Sequence, residues 1–309
     1  MIKPRALKPG ATIGLVSPSG AFHDQDTLPA LVRALEGRGF RVVCGESCTA
    51  KYGYLAGPDA MRAGDVMKMF LDEGIDAVFC ARGGYGAARI VPMLDYQAIK
   101  AHAKPFVGYS DVTALHAALN GHAELITFHG PMFDLKNADA DAAFSADALF
   151  NMLAGDTQIK NPAGYPTRAL SEGTAVGRLA GGNLTVLVHA LGTPYEPEFD
   201  KCVLFLEDIG EKTYRIDEML TNLRNAGVFD RCAGIVFGDF KDCPIEYEDF
   251  GLSLEQIISD IVLPSGKPVL WGLRAGHCSP KLTLPLGALV QLDAAAGTLR
   301  LLEDAVLKE

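Results

Sequence analysis

Short apolar runs alternate with amphipathic segments through the first half of the chain. The runs have the length of strands and are mostly continuous, and turn-forming residues separate them from helical patterns such as the one that begins near Thr27. Five strands are predicted, at residues 12–16, 40–44, 76–80, 105–108 and 125–128. Because continuous apolar strands are buried on both faces, we expect an α/β domain of flavodoxin or Rossmann-like type, with a parallel sheet covered by helices.

The pattern changes after residue 155. Residues 156–173 are rich in Pro, Gly and Thr and have no helix or strand period, which predicts a linker. Beyond the linker, helices are predicted after Asn183 and from about Ile216 to Ala226. Strands are predicted at residues 202–206, 234–238, 269–271, 281–284 and 288–292, with a turn at 285–287 and a further candidate strand at 299–302. We therefore expect an α/β domain over residues 1–155 and a smaller β-rich mixed domain over residues 174–309.

Composition narrows the class of protein. The 309 residues are 49% hydrophobic and 21% charged, which is typical of a globular chain, and the net charge of -10 includes no basic block for nucleic acid. No apolar run is long enough to span a membrane, and the amino terminus lacks the apolar core of a signal peptide. The seven cysteines form no CxxC pair. We expect a cytoplasmic protein with reduced thiols, no metal and no cofactor.

Ser110 occupies a predicted strand-to-helix turn. The apolar run 105–108 precedes it, and a helical pattern with Leu115 and Leu119 on one face follows. Such a turn exposes a hydroxyl and the N–H groups of the first helical turn, which suits a nucleophile, although an ordinary helix cap has the same appearance. Val112 replaces the second glycine of the G-x-S-x-G motif, so the turn is not a standard nucleophile elbow.

A serine nucleophile needs a general base, and His277 is the best candidate for that role among the seven histidines. It lies in an irregular loop between two predicted strands, whereas His129 ends a strand at the edge where sites form and is a candidate for lining the pocket. The remaining five are expected to be solvated (His23), solvated or packed beside helices (His102, His116, His122), or in the core of an apolar helix (His189). A turn residue remains an equal interpretation of His277.

Glu207 and Asp208 follow five apolar residues, and an exposed carboxylate at that strand end would reach and orient an imidazole; a cap or turn residue is an equal interpretation. The segment from Arg82 to Gly86 ends a neighbouring strand. There the backbone N–H of Gly83 would join that of Asp111 in an oxyanion hole. The alternative is a phosphate-binding loop, but the GxGxxG-like match that begins at Gly84 lacks its last glycine and follows the third strand, not the first.

Together these segments resemble the LD-carboxypeptidase family of serine peptidases, which includes the microcin-immunity peptidases. The matching segments occur in the family's order along nearly the whole chain: Ser17-Pro18-Ser19-Gly20, Ala81-Arg82-Gly83-Gly84-Tyr85-Gly86, Gly108-Tyr109-Ser110-Asp111, His129-Gly130-Pro131, Gly181-Gly182-Asn183-Leu184, Phe205-Leu206-Glu207-Asp208 and Gly276-His277. The resemblance implies a Ser–His–Glu triad at Ser110, His277 and Glu207, two domains with the site between them, a homodimer and no metal.

The resemblance also implies a reaction, the removal of the terminal D-alanine from a cytoplasmic murein tetrapeptide during peptidoglycan recycling. Candidate substrate contacts within the matching segments are Arg82, Tyr85, His129 and Asn183, with Arg82 the candidate for binding the free carboxylate. One alternative is a microcin-immunity-type peptidase that cleaves peptidyl-nucleotides. Another is a non-catalytic module that binds a small molecule on the same sheet.

Overall fold

The computed structural model describes residues 1–245 and 251–308, which form two β-sheets and their covering helices. The strands are β1 (Thr12–Val16), β2 (Arg41–Cys44), β3 (Ala77–Cys80), β4 (Phe106–Gly108), β5 (Thr127–His129), β6 (Arg168–Ser171), β7 (Thr174–Asn183), β8 (Val203–Ile209), β9 (Gly234–Lys241), β10 (Val269–Trp271), β11 (Leu284–Leu286), β12 (Leu289–Asp293) and β13 (Thr298–Leu301). The helices are α1 (Thr27–Gly37), α2 (Asp59–Leu71), α3 (Ala87–Ile90), α4 (Tyr96–Ala101), α5 (Thr113–His122), α6 (Ala140–Ala154), α7 (Leu184–Ala190), α8 (Thr213–Asn225), α9 (Val228–Arg231) and α10 (Leu254–Ile261). Short 3₁₀ helices include Ser110–Val112 and Phe133–Lys136.

The first sheet has the strand order β11-β5-β4-β3-β1-β2. All neighbours pair in parallel except β11, which is antiparallel to β5 at one edge. This confirms the five predicted strands and the parallel arrangement. The prediction for β11 was wrong, because Leu284–Leu286 forms the strand where a turn was expected at 285–287. Pro285 fits there because an edge strand leaves one row of N–H positions unused.

Helices cover both faces of this sheet, as its continuous apolar strands require. One face packs against α2 and α5 through residues such as Phe70 and Leu115, and the other packs against α1 and α6 through Leu31 and Leu149. The fold is therefore α/β in this part. No helix in the described ranges is both long and apolar enough to cross a membrane.

The second sheet has seven strands in the order β13-β12-β7-β8-β9-β10-β6. The central strands β7 to β10 are parallel, and the flanking strands pair antiparallel, which gives the expected β-rich mixed sheet. One prediction here was wrong, because Arg168–Ser171 forms β6 inside the segment that was expected to have no strand. The long strand β7, Thr174–Asn183, was not predicted.

Sequence analysis also missed helices α6 and α10. Asp139 caps α6 by accepting a hydrogen bond from the N–H of Ala142 at 2.9 Å, and Gly155 ends the helix with a φ of +103°. Ser253 and Gln256 form a capping box at the start of α10. The caps were therefore present in the sequence, but α6 is apolar around much of its circumference and lacks a clear polar face.

Candidate active site

Ser110 lies at the sharp turn between β4 and α5. Gly108 ends the strand, Tyr109 is extended, and Ser110 then adopts a φ of +66° at the start of the 3₁₀ turn Ser110–Val112. A positive φ is uncommon for a residue with a side chain, and such strain is concentrated at functional sites. A helix cap needs no such conformation, because capping residues have extended backbone. The turn therefore has the geometry of a nucleophile elbow.

The missing glycine of the elbow motif is explained by packing around Gly108. A Cβ atom at Gly108 would lie 2.8 Å from Cγ1 of Val112 and 3.0 Å from Cβ of Cys80, so a larger residue does not fit. Val112 thus uses the space that Gly108 leaves open. The Nε2 of His116, in the first turn of α5, hydrogen-bonds the carbonyl of Gly108 at 2.8 Å. This bond fixes the end of β4 against α5.

Gly83 directly adjoins the Ser110 side chain. A Cβ atom at Gly83 would lie 3.1 Å from the Cβ and 3.3 Å from the Oγ of Ser110, so glycine is needed for this approach. Its N–H donates no hydrogen bond within the described part of the chain. Asp111 is buried, and its Oδ2 accepts a hydrogen bond from the N–H of Ala87 at 2.8 Å. Burial raises the pKa of the Asp111 carboxyl.

Glu207 and His277 form the closest polar contact of the site. The Oε2 of Glu207 is 2.6 Å from the Nδ1 of His277 and also accepts the backbone N–H of His277 at 3.2 Å. Glu207 was expected to be exposed at a strand end, but β8 continues to Ile209 and the side chain is fully buried. Burial raises the pKa of Glu207, and the hydrogen bond from His277 opposes that shift.

Gly276 makes the contact between Glu207 and His277 possible. Its φ is +103°, and an added Cβ would lie 2.4 Å from Oε2 of Glu207. A side chain here would therefore be strained and would occupy the position of the carboxylate. Gly276 was indicated only as part of a matching segment, because a residue with positive φ in an irregular loop produces no periodic pattern in the sequence.

Tyr109 connects the turn at Ser110 to His277. The ring of Tyr109, the residue before Ser110, lies 4.9 Å from the imidazole of His277 between centroids. Ser110 is half-buried, and the side chain of His277 is 12% exposed. The structure thus pairs Glu207 with His277 and places the imidazole against the ring of Tyr109, the residue before the strained Ser110.

Asp208 faces the opposite side of β8 and has a different environment. Its carboxylate accepts hydrogen bonds from the Asn183 Nδ2 at 2.9 Å and from the N–H and hydroxyl of Thr185 at 2.9 and 2.8 Å. The N–H of Asn183 in turn donates to the hydroxyl of Thr113 at 3.0 Å. These bonds connect the start of α7 to β8 and to α5. Asp208 therefore fixes the elements around the site, and its carboxylate binds Asn183 and Thr185, not His277.

A cavity of about 750 Å³ opens beside Ser110 and has walls from both halves of the chain. Ser110, Asp111 and Tyr85 line one wall, and Asn183 and His189 line the other. His189 was expected in the core, but α7 directs Leu184 and Leu187 inward and leaves His189 exposed. His189 was missed as a site residue because its helix reads as apolar throughout.

The four predicted substrate contacts occupy different environments. Tyr85 is 57% exposed and lines the cavity, and Asn183 lines it while largely buried. Arg82 lies outside the cavity lining and places its Nη2 3.1 Å from the Nε2 of His23. His129 is buried beneath Tyr109, with a ring-centroid separation of 6.0 Å, and burial lowers its pKa well below the ordinary value. His129 therefore packs under the site.

No cluster of three or more His, Cys, Asp or Glu side chains in residues 1–245 and 251–308 has the arrangement of a metal site. All seven cysteines are free thiols. Near the turn at Ser110 lie the backbone of Gly83, beside the Ser110 side chain, and, across the ring of Tyr109, the imidazole of His277 with the Glu207 carboxylate. This set matches nucleophilic catalysis by a serine.

Comparisons with known proteins match both halves of the chain. The LD-carboxypeptidase N-terminal domain matches residues 13–130, and the LD-carboxypeptidase C-terminal domain matches residues 176–292. The probable murein peptide carboxypeptidase of Bacillus subtilis (strain 168) is 38% identical over 297 residues, which are 96% of this chain and 93% of that protein.

Two solved structures have the same two-sheet architecture. The muramoyltetrapeptide carboxypeptidase from Oxalobacter formigenes superposes with a TM-score of 0.81 at 29% identity, over 94% of this chain and 98% of that chain. The microcin C7 self-immunity protein MccF superposes with a TM-score of 0.91 at 24% identity, over 99% of this chain and 100% of that chain, and shows the fold alone. The matched domains cover most of the sequence, and the chain belongs to the LD-carboxypeptidase family of peptidases.

Proposed function

We propose that the protein is a serine LD-carboxypeptidase that removes the terminal D-alanine from murein tetrapeptides. The observation that carries the proposal is the 2.6 Å hydrogen bond between buried Glu207 and His277, whose imidazole packs on Tyr109, the residue before a serine with a φ of +66°. The relatives described above, a probable murein peptide carboxypeptidase and a muramoyltetrapeptide carboxypeptidase, supply the substrate class, a murein peptide. The scissile bond would join the L-centre of the third residue, diaminopimelate or lysine, to D-alanine.

In the proposed mechanism, the Oγ of Ser110 attacks the carbonyl carbon of that bond. Because Nδ1 of His277 is hydrogen-bonded to Glu207, Nε2 is the nitrogen that takes the proton of the Ser110 hydroxyl. Glu207 holds the imidazole in this tautomer and stabilises its charge. His277 then passes the proton to the leaving amine of D-alanine. Water, deprotonated by His277, hydrolyses the acyl-enzyme and releases the tripeptide.

The N–H groups of Gly83 and Asp111 are proposed as the oxyanion hole. Support comes from the close approach of Gly83 to the Ser110 side chain and from the place of Asp111 in the first turn after the nucleophile. Each donor in a comparable site contributes about 3–4 kcal/mol to transition-state stabilisation. The carboxylate of D-alanine needs a cation, and Arg82 is the proposed partner although it lies outside the cavity lining.

The test is incubation with L-Ala-γ-D-Glu-meso-diaminopimelate-D-Ala, with D-alanine release read by mass spectrometry. Release by the wild type and none by Ser110→Ala supports both the reaction and the nucleophile. A pentapeptide ending in D-Ala-D-Ala is the matched control, since its terminal bond has a D-centre. Equal release by the wild type and Ser110→Ala would remove Ser110 from the mechanism.

A peptidyl-nucleotide substrate is the second candidate, and the structural likeness to MccF, solved in complex with glutamyl sulfamoyl guanosine, is the observation that favours it. The higher sequence identity to the murein peptide relative favours the tetrapeptide. Parallel assays with an aminoacyl sulfamoyl nucleoside and the tetrapeptide separate the two. Binding without turnover of either, unchanged by Ser110→Ala, would support the non-catalytic module instead.

We further propose two domains, over residues 1–155 and 174–309, with the nucleophile in the first and the other triad residues in the second. Strand β11 comes from the second half and completes the edge of the first sheet, so the two halves are joined within one sheet. Because the triad residues are divided between the halves, neither half contains the whole proposed site. Fragments 1–155 and 174–309 should each be inactive. Cytoplasmic location and a homodimer are further proposals, tested by cell fractionation and by sedimentation.

A further inference from the structure

Lys281 is a buried lysine close to His277 that the proposed mechanism does not use. It follows His277 by four residues in the irregular segment between β10 and β11, and it is only 5% exposed. Its Nζ lies 2.6 Å from Oδ2 of Asp134 and 4.2 Å from the centroid of the Tyr109 ring. A lysine is rarely buried unless it is paired, so these two contacts account for its place in the fold.

Tyr109 connects this lysine to the catalytic base. Its ring is 5% exposed and lies 4.9 Å from the imidazole of His277, with the two planes tilted by 60°. The next residue is the strained Ser110. Tyr109 therefore contacts the base through its side chain and the nucleophile through its backbone, and Lys281 contacts Tyr109.

The segment that carries His277 is attached at its two ends to the predicted linker and to the first half of the chain. At its amino end, the N–H of Arg274 donates to Oδ1 of Asn161 at 2.8 Å. At its carboxyl end, the N–H of Lys281 donates to Oγ of Ser145 at 3.0 Å, and the Lys281 side chain binds Asp134. Asp134 is itself held by the N–H of Met132 at 2.7 Å.

We propose that Tyr109 and Lys281 are positioning residues for His277. The hydrogen bond that Nδ1 of His277 donates to Glu207 fixes one edge of the imidazole but leaves its tilt free, and the ring of Tyr109 fixes that tilt. Lys281, anchored by Asp134, holds the Tyr109 ring in place by a cation–π contact. The inference rests on the proposed function, in which Nε2 of His277 must face Ser110.

The experiment measures kcat and KM for D-alanine release from the tetrapeptide by four variants. Tyr109→Leu removes the ring and Lys281→Met removes the cation, and both should lower kcat about ten- to a hundredfold with KM within about threefold, as expected for a misplaced catalytic group. Tyr109→Phe restores the ring and Lys281→Arg restores a cation above it. Each should recover kcat to within about threefold of the wild type.

Lys104→Met is the matched control for loss of a partly buried lysine. The Nζ of Lys104 donates to the carbonyl of Met69 at 3.0 Å, away from the site, so this variant should lose thermal stability and keep kcat. Wild-type kcat in Tyr109→Leu and Lys281→Met would overturn the inference, and so would an equal loss in Lys281→Arg and Lys281→Met. If Lys281→Met does not fold, Tyr109→Leu against Tyr109→Phe decides.

Failure of the proposed function has a different signature. In that case the wild type itself would release no D-alanine from the tetrapeptide, and the four variants would be compared on the peptidyl-nucleotide instead. Where the wild type is active on one of the two substrates, the inference fails if Tyr109→Leu and Lys281→Met keep wild-type kcat, or if Lys281→Arg and Lys281→Met lose it equally.

Discussion

The nucleophile and the base of the candidate site are held in two different ways. Ser110 is fixed by residues close to it in sequence, since Gly108 permits the turn, Val112 fills the space beside it and His116 hydrogen-bonds the strand end. His277 is fixed by residues far from it in sequence. Glu207, 70 residues earlier, binds its Nδ1, and the ring of Tyr109 comes from the other half of the chain.

This difference determines what damages each group. The conformation of Ser110 depends on local backbone geometry, so it should survive substitutions elsewhere that leave the turn intact. The orientation of His277 depends on packing between segments that meet only in the folded state. Substitutions at several distant positions should therefore lower activity through His277, without contact with substrate.

The largest expected effect is at Ser110. Ser110→Ala should lower kcat by about 10⁴-fold or more, because no other group provides the nucleophile. Ser110→Gly should be equally inactive but should melt at a higher temperature than Ser110→Ala, since glycine adopts a φ of +66° without strain. Product assays and thermal melts check both statements. Equal melting temperatures would argue that the turn stores no strain at this residue.

Glu207→Gln should have the next largest effect. The amide keeps the size of the side chain but no longer selects the Nδ1–H tautomer, so kcat should fall about 10³- to 10⁴-fold. Asp208→Asn is the matched control, because Asp208 is also buried on β8 but binds Asn183 and Thr185. The control should lose stability and keep far more of its kcat. Similar kcat losses in the two variants would contradict the assignment of Glu207.

The same contrast explains what the sequence could predict. The five parallel strands and the turn at Ser110 were predicted, because apolar runs and turn residues report local structure. The sequence also indicated Glu207 and His277 as candidates, but a cap or turn residue was an equal interpretation of each. The family resemblance was what assigned both to one triad. Burial of Glu207 and the contact of Lys281 with Tyr109 were not predictable, because both depend on segments that meet across the two sheets.

Strand β7 illustrates the same limit in the fold. Its ten residues include Gly177, Gly181 and Gly182, which read as loop composition. In the structure a Cβ at Gly181 would lie 1.9 Å from the carbonyl oxygen of Phe205, so this glycine permits close approach of β8. The glycines thus serve strand packing, and a single sequence cannot distinguish that use from a turn.

A smaller effect is expected at Gly276, which combines a positive φ with close packing against the distant residue Glu207. Gly276→Ala should lower stability by about 3 kcal/mol and kcat by about a hundredfold, because the methyl group would displace Glu207 from His277. Gly39→Ala is the matched control, with a φ of +87° and open space around the added methyl. It should lose stability alone. Urea unfolding and kcat distinguish the two, and unchanged kcat in Gly276→Ala would show that Glu207 tolerates the displacement.

The smallest effect is a pH dependence of stability from His116, below the Ser110 turn. Burial lowers the pKa of His116 to about 4, although the hydrogen bond to Gly108 opposes the shift. The unfolded chain, with a pKa near 6.5, therefore binds the proton first, so stability is present above pH 6.5 and is lost as the pH falls toward 4. Between pH 7 and pH 5 the loss should be about 2 kcal/mol.

His116→Gln keeps a donor for the Gly108 carbonyl but does not titrate, so between pH 7 and pH 5 its free energy of unfolding should fall by about 2 kcal/mol less than that of the wild type. Burial, and His116 after it, also lower the pKa of His129, so the difference between the two proteins reports His116 together with its effect on His129. Urea titrations at the two pH values measure the difference, and parallel curves for wild type and variant would mean that His116 is not the group responsible.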